Sequence, residues 1–394
     1  MRGTEGRRVV VTGIGVVAPC GIGKDNFWDG LCAPAPTTRE RRVADWDPSP
    51  WFDNPKESRR ADRFQQFAMA AAAMALEDAG GDPPVDPSRK GVVIGTGVGG
   101  LITLEDQVIV RYDKGPKRVS PFLVPMMMAN AGPASVSMRY GWQGPCENVV
   151  TACAASNHSI GYAARLIAWG MADVMLAGGS EAPLTETAIG AFTNMTAMTN
   201  SGISRPFDAQ RDGFAIAEGG AVLLLEELSA AQERGAHIYG EIAGAASNAD
   251  AHHITAPSPG GAGAVACMHQ ALADAGLSPD QVTHVNAHGT STPLNDAAEA
   301  AAVAKVFGAP GPPVTSIKGV TGHSLGAAGA LEAAAVLLSI ERKLIPPTAL
   351  FEEGDPDMTI DVVHGSPREW APGPSLSNNF GFGGHNGTLV IAPV

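Results

Sequence analysis

Residues 148–166 read NVVTACAASNHSIGYAARL. An apolar run at 148–150 ends at Thr151, small residues surround Cys153, and an Ala-rich stretch of helical period follows from residue 155. That order spells a strand, a tight loop and a buried helix. A weaker copy lies at 315–331, where TSIK leads through GVTGHSLGAAG into a second Ala-rich stretch. Strand-like runs recur at 9–12, 92–94, 174–177, 221–225, 284–286, 314–317 and 389–392. Helical stretches fall between them at 64–79, 156–169, 262–275, 296–306 and 327–340. Such alternation predicts a layered α/β fold with largely parallel sheets. The faint repeat divides the chain into two similar halves joined near 234–240. The first, 1–236, carries Cys153, and the second, 237–394, carries the histidines discussed below. Residues 34–62, rich in Pro, Arg and Asp, read as a surface excursion.

Composition narrows the function. The 394 residues hold 27 Lys+Arg against 40 Asp+Glu, a net charge of −13. Nucleic-acid binding needs a basic stripe that this chain lacks. With 44% hydrophobic and 17% charged residues, the chain is not disordered. Its five cysteines (Cys20, Cys32, Cys146, Cys153, Cys267) are odd in number and widely spaced, with no CxxC pair. Neither a disulfide framework nor a structural zinc site is expected. The N-terminal residues have no apolar signal region, and no run of 18 apolar residues exists, so a cytoplasmic protein without a membrane span is expected.

Three glycine motifs look like chemistry. GTGVGG at 95–100 follows a strand as a dinucleotide loop does, but the acidic residue ending a second strand is missing. GIGVVA at 13–18 reads as a glycine turn after a strand. GHSLG at 322–326 fits a nucleophile elbow around Ser324, with Asp361 and His364 or His385 downstream, and defines an alternative: a serine thioester hydrolase.

A stronger constellation surrounds Cys153. A thiol at a helix start meets the positive end of the helix dipole, which favours thiolate. His288, in NAHGTSTP, and His323, in KGVTGHS, both fall just past strands. In open α/β sheets, sites gather at the carboxyl ends of strands, and all three residues hold that kind of position. The segment NNFGFGGHN at 378–386 is a glycine-dense loop whose amides suit an oxyanion.

Taken together, TACAAS, SRPFDAQRDGF, AHGTSTPLND, KGVTGHSLGAAGALE and NNFGFGGHN, in this order over nearly the whole chain, resemble the β-ketoacyl-acyl-carrier-protein synthases of the thiolase superfamily. The wording HGTSTP and TGHSLG is closest to the elongating synthase II group. The resemblance implies a five-layered α-β-α-β-α thiolase fold built from two pseudo-repeated halves. It implies a decarboxylative Claisen condensation of a malonyl thioester with an acyl group held on Cys153, in fatty-acid or reduced or polyene type II polyketide synthesis. His288 and His323 then act on the malonyl thioester, with Lys318 and Glu332 as a supporting pair. The amides of Cys153 and Phe382 form the oxyanion hole, and Phe382 gates the acyl pocket. Thr290 and Thr292 hydrogen-bond the phosphopantetheine arm, while Asp296 and Glu299 belong to a mobile entrance loop. No cofactor is implied beyond the phosphopantetheine of the carrier. The implied partners are acyl-carrier protein and either a second copy or a chain-length-factor-like subunit. The presence of Cys153 marks the active subunit of such a pair. Departures from the family pattern are the short segment AMTNSGISR (197–205), Cys146, and the loop at 218–220. Carrier proteins are acidic, so docking on a chain of net negative charge needs a local basic patch. Lys56, Arg59, Arg60 and Arg63, at helical spacing, are the expected docking surface.

Overall fold

The computed structural model describes residues 6–394. Ten strands form the principal sheet: β1 (Val9–Ala18), β2 (Lys90–Gly95), β3 (Cys146–Glu147), β4 (Val174–Glu181), β5 (Gly219–Glu227), β6 (Gly240–Ala249), β7 (His284–Asn286), β8 (Val314–Thr315), β9 (Ser375–Gly381) and β10 (His385–Ala392). Their spatial order is β8-β7-β9-β10-β6-β1-β5-β4-β2-β3, with Gly21–Ile22 added beside β1. The order is two five-strand arrays of one design. In each, three strands run parallel (β3, β2, β4 and β8, β7, β9) and the next two run antiparallel. The arrays meet where β1 pairs with β6, Val10 opposite Glu241 and Val11 opposite Gly240. Antiparallel joints are as prominent as parallel ones, which corrects the expectation of largely parallel sheets.

Seven helices build the layers: α1 (Arg63–Asp78), α2 (Leu101–Lys114), α3 (Ala131–Tyr140), α4 (Ala155–Ala168), α5 (Ala262–Ala275), α6 (Pro293–Phe307) and α7 (Ala328–Arg342). α1 and α3 cover the outer face of the first array, and α5 and α6 that of the second. α4 and α7 pack on each other and on strands of both arrays. They form the middle of an α-β-α-β-α stack. A helix sandwiched between two sheets must be apolar all round. Accordingly every residue of α7 from Ala328 to Ile340 is buried, the residue type being chiefly Ala and Leu.

The glycines of GIGVVA do not make a turn. β1 runs straight through them, buried at all ten positions. A Cβ at Gly13 or Gly15 would overlap the carbonyl oxygens of Ala75 and Ala71 on α1. Glycine therefore lets the helix lie directly on the strand. Three strands were invisible to hydropathy. β6 (GEIAGAASNA) and β9 (SLSNNFG) are small and polar, and β3 is only two residues long. The apolar strand expected at 148–150 is not formed. The Val149 carbonyl accepts from Thr96 N, and Asn148 Nδ2 donates to the Ile94 carbonyl (2.5 Å), so this stretch ties down the end of β2. Residues 34–62 do lie mostly at the surface, although Arg41 is buried and bonds the Thr38 and Pro36 carbonyls, both at 2.5 Å. Among the described residues no helix is long and apolar enough to cross a membrane.

Candidate active site

The carboxyl ends of β2, β3, β7, β8 and β9 open on one cavity of about 440 Å³, lined by Cys153, His288, His323, Thr290, Phe382 and Phe214 among others. Cys153 lies in a 3-10 turn, Ala152–Ala154, that runs directly into α4. Ala152 has φ +50°, a left-handed conformation that a non-glycine residue adopts at a cost of about 1–2 kcal/mol. The bend turns Sγ out of the helix start into the cavity. His323 Nε2 lies 3.1 Å from Sγ. The ligating atoms of Cys153, His288 and His323 all lie within 4.8 Å of one another.

Burial governs the protonation of this group. The thiol is pushed up to about 12 by desolvation, against the Lys318 charge and the backbone amides of Phe382 and Cys153 that point at sulfur. The thiolate expected from the helix start alone is therefore not the resting form. Proton transfer to a neighbour must accompany attack, and His323 is the base within reach. Desolvation, with the Lys318 charge, holds both histidines well below their usual range, so both are neutral.

Neutral imidazole donates from one nitrogen only, and the surroundings select which. His288 Nδ1 faces two donors, Lys318 Nζ at 3.4 Å and Asn379 Nδ2 at 3.3 Å. Nδ1 must accept, which leaves the proton on Nε2. His323 Nδ1 is buried with no hydrogen-bond partner among the described residues, so its tautomer is not locked. Its backbone is strand-like, with His323 N donating to the Ala215 carbonyl (2.8 Å) and its carbonyl accepting from Ala217 N (2.9 Å).

Lys318, 1% exposed, is ion-paired with Glu332 and donates to the His288 carbonyl at 2.5 Å. Burial pushes the Glu332 carboxyl up to about 7, opposed by the Lys318 charge and by hydrogen bonds from Lys318 and Asn379. Three soft ligands at this spacing could also hold a metal ion. The fixed ammonium beside His288 opposes a dication there.

Asp296 and Glu299 are not in a mobile loop. Both lie on α6, fully buried, and they hold the preceding turn by its amides. Glu299 accepts from His288 N and Gly289 N, each 2.8 Å, and Asp296 from Thr290 N (2.9 Å), Ser291 N (3.0 Å) and Phe207 N (2.8 Å). They fix where His288 and Thr290 point. Thr290 and Thr292 line the cavity and their hydroxyls share a hydrogen bond of 2.9 Å.

The basic residues at 56–63 do not share one helical face. A single turn, Pro55–Ser58, ends before Arg59, and α1 starts afresh at Arg63 behind its Asp62 cap. Arg63 is committed to the buried Glu218 carboxylate at 2.6 Å. Arg60 lies 4.2 Å over the Phe122 ring, while Lys56 and Arg59 are exposed. The docking patch reduces to Lys56, Arg59 and Arg60.

Both remaining motifs have structural explanations. In GTGVGG the loop amides are already answered. The buried Glu181 carboxylate, at the end of β4, accepts from Gly97 N, Val98 N (3.3 Å) and Thr96 Oγ1 (2.9 Å), and also from Gly326 N (3.0 Å). No room for a phosphate remains. In GHSLG, the Ser324 hydroxyl is buried without a partner, and Asp361 is paired with Arg368. No serine triad is assembled. Glu181 and Asn379 are the site residues that sequence reasoning missed. Asn379 stood inside the quoted glycine-dense loop, a polar residue in a strand position. Glu181 offered no signal beyond a carboxylate ending a buried strand.

Comparison with known proteins agrees with this geometry. The family models "Beta-ketoacyl synthase, N-terminal domain" and "Beta-ketoacyl synthase, C-terminal domain" match residues 34–231 and 239–352. A 3-oxoacyl-[acyl-carrier-protein] synthase 2 of Synechocystis is 43% identical, covering 99% of both chains. The protein of that name from Staphylococcus aureus is 40% identical over 98% of this chain and 99% of its own. Among solved structures, the ishigamide ketosynthase/chain length factor superposes with TM-score 0.93 at 33% identity, covering 98% of this chain and 99% of that one. A type II polyketide ketosynthase seen with its acyl-carrier protein, AntDE:AntF, gives 0.89 at 34% identity, over 98% of this chain and 100% of that one.

Proposed function

The chain belongs to the β-ketoacyl synthase family, as an acyltransferase that forms 3-oxoacyl thioesters on acyl-carrier protein, and from that premise we propose how its residues divide the reaction. Cys153 Sγ attacks the thioester of an acyl chain delivered on phosphopantetheine. Its proton passes to His323 Nε2, 3.1 Å away, and on to the departing pantetheine thiolate. Malonyl-carrier then enters, its arm hydrogen-bonded by Thr290 and Thr292. His288 and His323 donate N–H to the malonyl thioester carbonyl. The malonyl C–C bond breaks, carbon dioxide leaves, and its electron pair becomes the enolate that both imidazoles hold. One such donor is worth about 3 kcal/mol in the transition state. The enolate carbon attacks the acyl carbonyl on Cys153. The oxyanion formed rests on the amides of Cys153 and Phe382, then collapses to expel the Cys153 thiolate and leave a β-ketoacyl chain on the carrier. No further cofactor is needed.

The observation that carries this reading is the convergence of one sulfur and two neutral imidazoles within 4.8 Å on the cavity floor. The serine hydrolase alternative falls with the unpartnered Ser324 hydroxyl. We divide the chain into a half that carries the nucleophile (1–236) and a half that carries both histidines (237–394), placing the protein in the cytoplasm in fatty-acid or reduced or polyene type II polyketide synthesis. The partner is an acidic acyl-carrier protein docking on Lys56, Arg59 and Arg60. A second subunit, either a copy of this chain or a chain-length-factor-like homologue, covers α2. Of that helix only Thr103 is buried, while Val108, Ile109 and Tyr112 are 54%, 52% and 86% exposed. The test is mass spectrometry of the acyl group trapped on Cys153 from a cell extract. An acyl adduct on Cys153 supports the reading and names the chain, whereas adducts elsewhere, or none after incubation with acyl-carrier substrates, refute it. Alkylation is a poorer probe, because exposed Cys146 competes for the reagent.

A further inference from the structure

We infer that Asn379 is a positioning residue for the malonyl step, setting the tautomer of His288. This deepens the proposed function and rests on it. The argument starts at the Ser377 carbonyl on β9, which can only accept. Asn157, one helical turn past Cys153 on α4, donates to it from Nδ2 at 3.0 Å. The same amino group lies 3.1 Å from Asn379 Oδ1, so that atom is the carbonyl oxygen. The Asn379 amino group is thereby turned the other way, 2.8 Å from Glu332 Oε2 and 3.3 Å from His288 Nδ1. Each contact agrees with the next: carbonyl, amide, amide, then carboxylate and imidazole.

The Asn379 side chain is completely buried, so water cannot replace a lost donor without opening a space. It touches neither the sulfur nor the cavity, and its influence runs through His288. Lys318 also faces Nδ1, but at 3.4 Å and while committed to Glu332 and the His288 carbonyl. Asn379 is thus the neutral donor that completes the hold on Nδ1 and keeps the Nε2 proton aimed at the malonyl carbonyl. Acyl transfer to Cys153 uses His323 and the oxyanion amides instead, so the two half-reactions must respond differently.

The experiment measures both with Asn379→Leu, which keeps the volume and removes the amide. Transfer of an acyl group from acyl-carrier protein to Cys153 is followed by rapid quench. Malonyl-carrier decarboxylation is followed by carbon dioxide release in a Cys153→Gln background. Decarboxylation kcat should fall about 10- to 100-fold with KM little changed, while acylation stays within about 3-fold. Equal losses in both steps, or no loss in decarboxylation, would overturn the inference. Should the Leu variant not fold, Asn379→Ser decides by the same split. If the unaltered protein neither acylates Cys153 nor decarboxylates malonyl-carrier, the proposed function itself is wrong, a result distinct from either outcome for Asn379.

Discussion

Gly381→Ala would test the oxyanion hole with a single methyl group. Gly381 is not in a left-handed conformation, so alanine suits its backbone. A Cβ there would sit 2.8 Å from the Thr151 carbonyl oxygen, 3.1 Å from Cys153 N and 3.3 Å from Ala154 N. All three are backbone atoms that cannot rotate away. The closest contact falls about 0.6 Å short of the 3.4 Å at which ordinary contact begins. The loop carrying Phe382 must therefore retreat from the nucleophile turn by roughly that distance. An N–H···O bond stretched from about 2.9 to about 3.5 Å is effectively lost. Losing one oxyanion donor costs about 3 kcal/mol, or about 100-fold in rate. The fold itself should lose about 1–3 kcal/mol from overpacking. Acyl transfer to Cys153 passes through a tetrahedral oxyanion and should drop by that factor. Malonyl decarboxylation, served by the histidines, should change little. Rapid-quench acylation alongside carbon dioxide release separates the two, with urea unfolding as the stability control. A folded variant that acylates at the original rate would refute the assignment of the Cys153 and Phe382 amides.

Other expectations follow from single contacts. Ser324→Ala should retain most chain extension, since the hydroxyl serves no partner, and loss of condensation in a folded variant would reopen the hydrolase reading. Glu181 is raised from 4.5 to about 7 by burial, against hydrogen bonds from Gly97, Thr96, Gly326 and Val98. A carboxyl raised in the folded state stabilises fully below 4.5 and loses that contribution as pH climbs through 7, on the order of 3 kcal/mol. Urea midpoints at pH 4.5 and 7.5 should show that slope in the unaltered protein and not in Glu181→Gln, and identical slopes would contradict it. Arg59→Glu with Arg60→Glu should raise KM for carrier-bound substrate several-fold and leave kcat near its original value, with an unchanged KM ending the docking assignment.

The catalytic motifs were legible because chemistry restricts their residues: a cysteine, two histidines and a lysine, each in a distinctive small-residue context. The helices were nearly as legible, since an Ala-rich helix between two sheets is apolar on every side. α5 lies where its periodicity puts it, and α7 within two residues at either end. What escaped is polarity used for support. β9 is filled with Ser and Asn because it faces the Lys318–Glu332 pair, so a hydropathy reading passes over it. Asp296 and Glu299 look like surface acids and are in fact buried clamps on backbone amides, a role set by where a helix begins relative to a loop 90 residues from its other contacts. The basic stretch at 56–63 has helical spacing, yet Asp62 caps a new helix in its middle.

The turn at Leu325–Ala327 has the same build as the one that presents Cys153. Its first residue is left-handed, Leu325 at φ +46°, three residues form a 3-10 turn, and a buried helix starts at once. Gly326 holds the place that the sulfur-bearing residue holds in the other half. Its amide does not wait for a passing oxyanion, because Glu181 already plugs the socket. A duplicated scaffold has thus kept one mould open and cast the other shut, turning a would-be reaction centre into a rivet that steadies the wall beside His323. Grafting a cysteine at 326 would create no twin centre while that plug stays in place.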